Sequence, residues 1–164
     1  AFVSGVEKYI NVDAAIDSMI VTYLANGRDN IAKNILWSTF DGVKWAPTIY
    51  DLDMTWGITD YGKGYIDAHL FSPKGTTRNN LLYQKLYTYM YDRVKARYNE
   101  LRGTVFTLEN VRNTFTEFQD RIPPSVMNLE RSKWTNVPSI STNNIEQIMK
   151  YAEDHFAVID SCFK

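Results

Sequence analysis

The chain changes hydrophobic period along its length, and each period assigns an element. Ile16, Met19, Ile20, Tyr23 and Leu24 recur at three- and four-residue intervals, which makes one apolar face of a helix beginning near Asp13. Asn11 or Asp13 offers an oxygen to its first free amides. Asn26-Gly27 ends it, because both residues tolerate the left-handed backbone needed past a helix. The runs NILWSTF (34–40) and VKWAPTIY (43–50) are rich in β-branched and aromatic residues, and Asp41-Gly42 between them predicts a tight hairpin. Pro47 has no N–H for a ladder, so it belongs at an edge or a bulge.

Residues 57–77 hold four Gly, one Pro and many polar side chains, which reads as a long loop of the kind that is usually functional or mobile. The helical period returns at Asn79. LLYQKLYTYMYDRVKARYNELR reads as one helix with Leu82, Leu86, Tyr89, Met90, Val94 and Tyr98 on a stripe, stopped by Gly103. Thr107 caps a helix over about 108–121, Pro123-Pro124 breaks the pattern, and another helix follows over 124–133. Asn143 with Glu146 has the form of a capping box, which opens a last helix, IEQIMKYAEDHFAVIDSCF. The pattern predicts a mainly helical α+β fold, an antiparallel β-hairpin packed on a helical subdomain. It predicts one domain over 1–164, with loop and hairpin in 1–57, a connecting loop in 58–78 and helices in 79–164.

Composition narrows the function. With 45% apolar residues the chain builds a core, and a net charge of -1 argues against non-specific nucleic-acid binding as its task. The single cysteine, Cys162, makes no internal disulfide, and its place beside the chain end disfavours a catalytic thiol. No apolar run approaches the roughly 20 residues of a transmembrane helix. His69 and His155 lie far apart without zinc-ligand spacing, and His155 reads as structural. Neither a P-loop nor a nucleophile elbow occurs. The 11 Tyr fit the edge of a core or an interface. The chain opens AFVSGVEKY, with no methionine and no signal-peptide pattern, which reads as trimming or as a piece of a longer protein.

Two stretches then stand out as chemistry: RDNIAKN (28–34) and, behind the hairpin, YDLDMTWG (50–57). Phosphoryl transfer from ATP asks little covalent work of a protein. It needs Mg²⁺ held against the phosphates by hard oxygen ligands and a carboxylate to orient the attacking hydroxyl. An Asp with an Asn five residues on supplies a carboxylate and an amide oxygen from one tight loop, and an Asp after the following strand supplies a metal carboxylate. On a regular strand Asp51 and Asp53 share a face, so both reach one cation. Such a like-charged pair is unfavourable without an offsetting charge. The bland alternatives are a turn cap for Asp29, a strand start for Asn34 and surface carboxylates for Asp51 and Asp53. Trp45 and Trp56, on either side of the acidic pair, read first as core residues.

GRDNIAKNIL resembles the protein-kinase catalytic loop His-Arg-Asp-x-x-x-x-Asn, with Gly27 in the His position. The helix YINVDAAIDSMIVTYL, this loop, the hairpin KWAPTIYDLDMTWG and, more weakly, ARYNELRGTVFTLENV and ERSKW together resemble the spore-coat protein H (CotH) kinase family. Members of that family are atypical, secreted or surface kinases. The resemblance covers nearly the whole chain. It implies an atypical kinase C-lobe, with Asp29 as the catalytic carboxylate, Asn34 at a second metal position, and Asp51, with Asp53 as competitor, as the metal-binding Asp. It implies Mg²⁺ and ATP as cofactors, a Ser/Thr protein substrate, and a spore-coat, secreted or cell-surface setting. The family's nucleotide-gripping lysine and lid lie upstream of the matched region, and residues 1–10 hold only Lys8. The chain thus resembles the C-terminal catalytic-loop half of a kinase domain whose N-terminal part lies elsewhere, and alone it is expected to bind Mg-ATP weakly or not at all. A different class of reading also follows from the family: a non-catalytic surface, coat or virion module, or an adhesin, with Tyr87, Tyr89, Tyr91 and loop 57–77 as its contact surface.

Overall fold

The computed structural model describes residues 1–58, 80–135 and 144–163. Apart from residues 57 and 58, the loop expected over 57–77 lies outside the described residues, as do His69 and Asn143. Among the described residues the architecture is mainly helical with one two-stranded hairpin, as the periodicity predicts. In chain order the elements are α1 (Phe2–Tyr9), α2 (Val12–Leu24), a 3₁₀ turn (Asp29–Ile31), β1 (Ile35–Thr39), β2 (Trp45–Ile49), α3 (Leu81–Tyr89), α4 (Tyr91–Gly103), α5 (Leu108–Asp120), α6 (Pro124–Lys133) and α7 (Ile145–Asp160).

Helix α2 is the centre. Its predicted stripe of Ile16, Met19, Ile20, Tyr23 and Leu24 is buried, and so are Ala15, Ser18 and Thr22, so the helix meets neighbours on most of its circumference. Asn11, the nearer of the two candidate caps, accepts from the Ala14 N–H at 3.1 Å. Helix α7 brings Ile148, Ala152, Phe156 and Ile159 to the same core, and α3 and α4 bring Tyr83, Leu86, Val94 and Tyr98. Truncating a buried Leu, Ile or Met of such a core costs roughly 2–5 kcal/mol. Arg97 grips Asp17 with two hydrogen bonds of 2.7 and 2.8 Å, and Arg93 reaches Glu7 and Asp13, so α4 is tied to α1 and α2. These pairs are partly exposed and contribute little each.

Several local readings change. α1 is a helix that the sequence pattern did not reveal. The long helix after Asn79 is two: the backbone breaks at Met90 (φ -129°, ψ 30°). No Pro or Gly marks the break. Tyr87 and Tyr91, on either side of it, both donate to the Cys162 carbonyl, at 3.0 and 3.3 Å, which ties the corner to the end of α7. Burial and the neighbouring Cys162 and Tyr91 push the Tyr87 hydroxyl up to about 12. The buried stripe uses Tyr83, while Tyr89 is exposed. Asn144 caps α7, accepting from the Gln147 N–H at 2.8 Å. The strands are shorter than their apolar runs, and Trp45 is exposed rather than core.

The hairpin pairs Ile35 with Ile49 and Trp37 with Pro47. It is held to the helices where Ile10 bridges Trp45 and the Asn11 N–H donates to the Trp45 carbonyl at 2.8 Å. With only two strands, Pro47 sits in an edge strand, the setting that tolerates its missing N–H.

His155 is fully buried on α7. Its Nε2–H donates to the Tyr23 carbonyl at 2.6 Å, its ring stacks on Tyr151, and Nδ1 has no hydrogen-bond partner among the described residues. Burial lowers its pKa from 6.5, the Tyr23 carbonyl opposing only in part. Above the ordinary value both folded and unfolded chains hold a neutral ring. Below it the unfolded chain takes up a proton that the buried ring resists, so stability is lost as pH falls below about 6.5. Thermal midpoints measured from about pH 7 down to about 5.5 should therefore fall for the wild-type chain and fall less for His155→Gln.

Candidate active site

The loop after α2 turns on one atom. The N–H groups of Ala32, Lys33 and Asn34 point to the Asp29 carbonyl at 3.2, 2.8 and 3.2 Å. This turn gives the five-residue spacing from Asp29 to Asn34 its meaning, since it folds the segment back so that Asn34 begins the hairpin beside the Asp29 backbone. The Tyr50 N–H then donates to the Asn34 carbonyl at 3.2 Å, one rung beyond the Ile35–Ile49 pair. The hairpin thereby delivers Asp51 to Asn34. The Asn34 side-chain Nδ2 lies 3.4 Å from both the Asp51 carbonyl and Asp51 Oδ2.

Asp51 adopts left-handed backbone, φ 57°. Asp is among the residues that enter this region at a modest cost, and its short side chain bonds locally. β2 has already ended at Ile49, so strand alternation does not extend to Asp51 and Asp53, and the shared-face argument fails on its premise. Asp53 is exposed in the next turn, and no hydrogen bond among the described residues joins it to Asn34 or Asp51.

The far end of the acidic turn is tied to the helices. Thr55 Oγ1 donates to the Leu52 carbonyl at 2.6 Å, the Trp56 N–H donates to Ala25 at 2.7 Å, and Gln147 Nε2 donates to the Trp56 carbonyl at 2.9 Å. The Trp56 ring is half-buried, edge-on to Phe115 and Phe156. Gly57 is needed here: its φ is +84° and a Cβ would lie 2.4 Å from Tyr151 Cδ2.

The Asp29 side chain is 13% exposed and takes Lys33 Nζ at 2.9 Å. One residue that the sequence reading passed over is Asn30. It is 1% exposed, and its Nδ2 donates to the carbonyls of Asn34, at 3.1 Å, and Tyr50, at 2.7 Å. Each bond contributes roughly 0.5–1.5 kcal/mol, and removing the donor takes this partner from the Tyr50 carbonyl while the Asn34 carbonyl keeps the Tyr50 N–H. Its only sequence signal is an amide one position inside the acidic loop.

Asn34 presents its amide nitrogen, not its oxygen, to Asp51, so the hard donors that could hold a cation here are the Asp51 carboxylate and, with the amide turned, Asn34 Oδ1. Among the described residues no three His, Cys, Asp or Glu gather as a closed metal cage. A pair of hard oxygen donors suits a cation such as Mg²⁺, which keeps water and phosphate ligands and needs only one or two from protein.

The sequence model of CotH kinase protein matches residues 1–158. The chain belongs to the CotH kinase family. Searches of curated proteins and of solved structures returned no match. A CotH-family kinase implies, in general terms, ATP, a divalent metal and a protein substrate, and the Asp29, Asn34 and Asp51 loop lies within the matched span. No helix among the described residues is long and apolar enough to cross a membrane.

The left-handed backbone at Asp51 costs stability that glycine would not. Asp51→Gly should keep or raise the thermal midpoint, by up to about 4 °C for roughly 1 kcal/mol at this chain length. A fall of several degrees would show that the carboxylate stabilises the turn more than the backbone strains it.

Proposed function

We propose that the full-length protein carrying this chain transfers the γ-phosphoryl group of Mg-ATP to a Ser or Thr hydroxyl of a protein. The observation that supports this most is the junction of Asn34, at the end of the loop that turns on Asp29, with Asp51, which the hairpin delivers. In the reaction the acceptor hydroxyl oxygen bonds to the γ-phosphorus, the bond to the bridging oxygen of ADP breaks, and the hydroxyl proton passes to a base. Asp29 is that base and orients the hydroxyl, with Lys33 Nζ 2.9 Å from its carboxylate. Asn34 Oδ1 and the Asp51 carboxylate would hold Mg²⁺, which when bound offsets charge on the phosphates. Asp53 is a second carboxylate near enough in sequence to take a water-mediated place.

A surface or adhesive module is the second reading. It is favoured by the hairpin, where Leu36, Phe40 and Val43 are exposed, with Phe40 fully so. The tyrosine cluster gives it less support, because Tyr87 and Tyr91 are committed to Cys162 and of the three only Tyr89 is exposed.

Transfer of labelled phosphate to protein from ATP and Mg²⁺ separates the two. Asp29→Ala should lower the rate by at least about a hundredfold and Asp51→Asn comparably, both with unchanged circular dichroism. Equal labelling by wild type and both variants, or none from any, would contradict the kinase reading.

A further inference from the structure

The loop departs from the kinase pattern at Gly27, and the structure gives that departure a physical partner. A Cβ built on Gly27 would lie 2.6 Å from Asn30 Oδ1 and 3.1 Å from Asn30 Cβ and Cγ. Gly27 has no left-handed φ that demands glycine, so the obstacle to a side chain is Asn30 itself. Asn30 cannot swing aside freely, because its Nδ2 is engaged with both Asn34 and Tyr50. It is buried in the 3₁₀ turn, and its amide reaches the two ends of the hairpin at Asn34 and Tyr50.

We infer that Asn30 is a positioning residue of this site, and that Gly27 is glycine to make room for it. The space a side chain at position 27 would use is filled from position 30 instead. The Asn30 amide clamps the start of β1, at the Asn34 carbonyl, to the end of β2, at the Tyr50 carbonyl. Asn34 is itself a proposed metal ligand, and Asp51 is the next residue after Tyr50. One side chain thus sets the distance between the two donors without touching substrate or metal. The inference rests on the kinase reading for its consequence in catalysis, and on geometry alone for the clamp.

Two arms test it, one of which does not depend on activity. Hydrogen exchange on the chain should show faster exchange across residues 50–53 in Asn30→Asp, which keeps the shape and removes both donors, with α2 and α7 unchanged. Asn30→Ala serves where Asn30→Asp does not fold. In thermal unfolding, Gly27→Ala should lower the midpoint in wild type and lower it distinctly less in the Asn30→Ala background, because the 2.6 Å contact with Oδ1 is then gone and only the 3.1 Å approach to Cβ remains. Additive effects of Gly27 and Asn30, or exchange at 50–53 equal to wild type, would overturn the clamp. In phosphate transfer by the full-length protein, Asn30→Asp should lower kcat by about tenfold or more with KM for ATP nearly unchanged, since it misplaces groups rather than removing them. An unchanged kcat in an active protein would overturn the role in catalysis while leaving the kinase reading intact. An inactive wild type would overturn that role and the kinase reading together, and the exchange and unfolding arms alone would then decide the clamp.

Discussion

Three N–H groups, those of Ala32, Lys33 and Asn34, converge on the Asp29 carbonyl, and the rest of the site follows from that turn. A chain that must satisfy its buried backbone groups has few ways to reverse direction in five residues. This one places Asp29 at the start of the reversal and Asn34 at its end. The hairpin that begins at Asn34 has its register fixed by the Ile35–Ile49 and Trp37–Pro47 pairs, so the position of Asp51 is set by the same turn. Asn30 closes the arrangement from behind.

The helices supply the rigidity that the small sheet lacks. A two-stranded hairpin alone is marginal in water. Here it leans on the start of α2 through Asn11 and Trp45, and the acidic turn beyond it is pinned to the end of α2 and to α7 through Trp56. Positive φ angles at Asp51, Trp56 and Gly57 concentrate in this one pinned segment. Strained backbone collects where surrounding structure over-determines it, and functional sites are where it is tolerated. That segment is tied to the same two helices, α2 and α7, that His155 joins through the Tyr23 carbonyl.

Much of this was legible in the sequence. The α2 stripe, the Asp-Gly hairpin, the Thr107 cap and the Pro-led α6 are local signals, and local signals survive folding. The spacing also singled out two segments that the fold brings together, with Asn34 beside Asp51 behind the turn on Asp29. What was not legible depended on distant neighbours. The break at Met90 carries no Pro or Gly and coincides with a junction to the end of α7 seventy residues on. Tyr89 and Trp45 turn outward although their residue types favour burial. The pairing of Asp51 with Asp53 looked plausible only while the strand was assumed to continue. Asn30 was hidden because an amide beside an acidic residue looks like loop polarity until its two carbonyl partners are seen.

The most direct test of the account is where a divalent cation sits when nucleotide is present. Mn²⁺ with ATP, added to isotope-labelled full-length protein, broadens the magnetic resonance signals of nearby nuclei. The Asn34 side-chain amide and the Asp51 backbone signal should broaden first, and Asp51→Asn should weaken the effect. Broadening centred on the exposed hairpin or on α6, or none with ATP saturating, would contradict it.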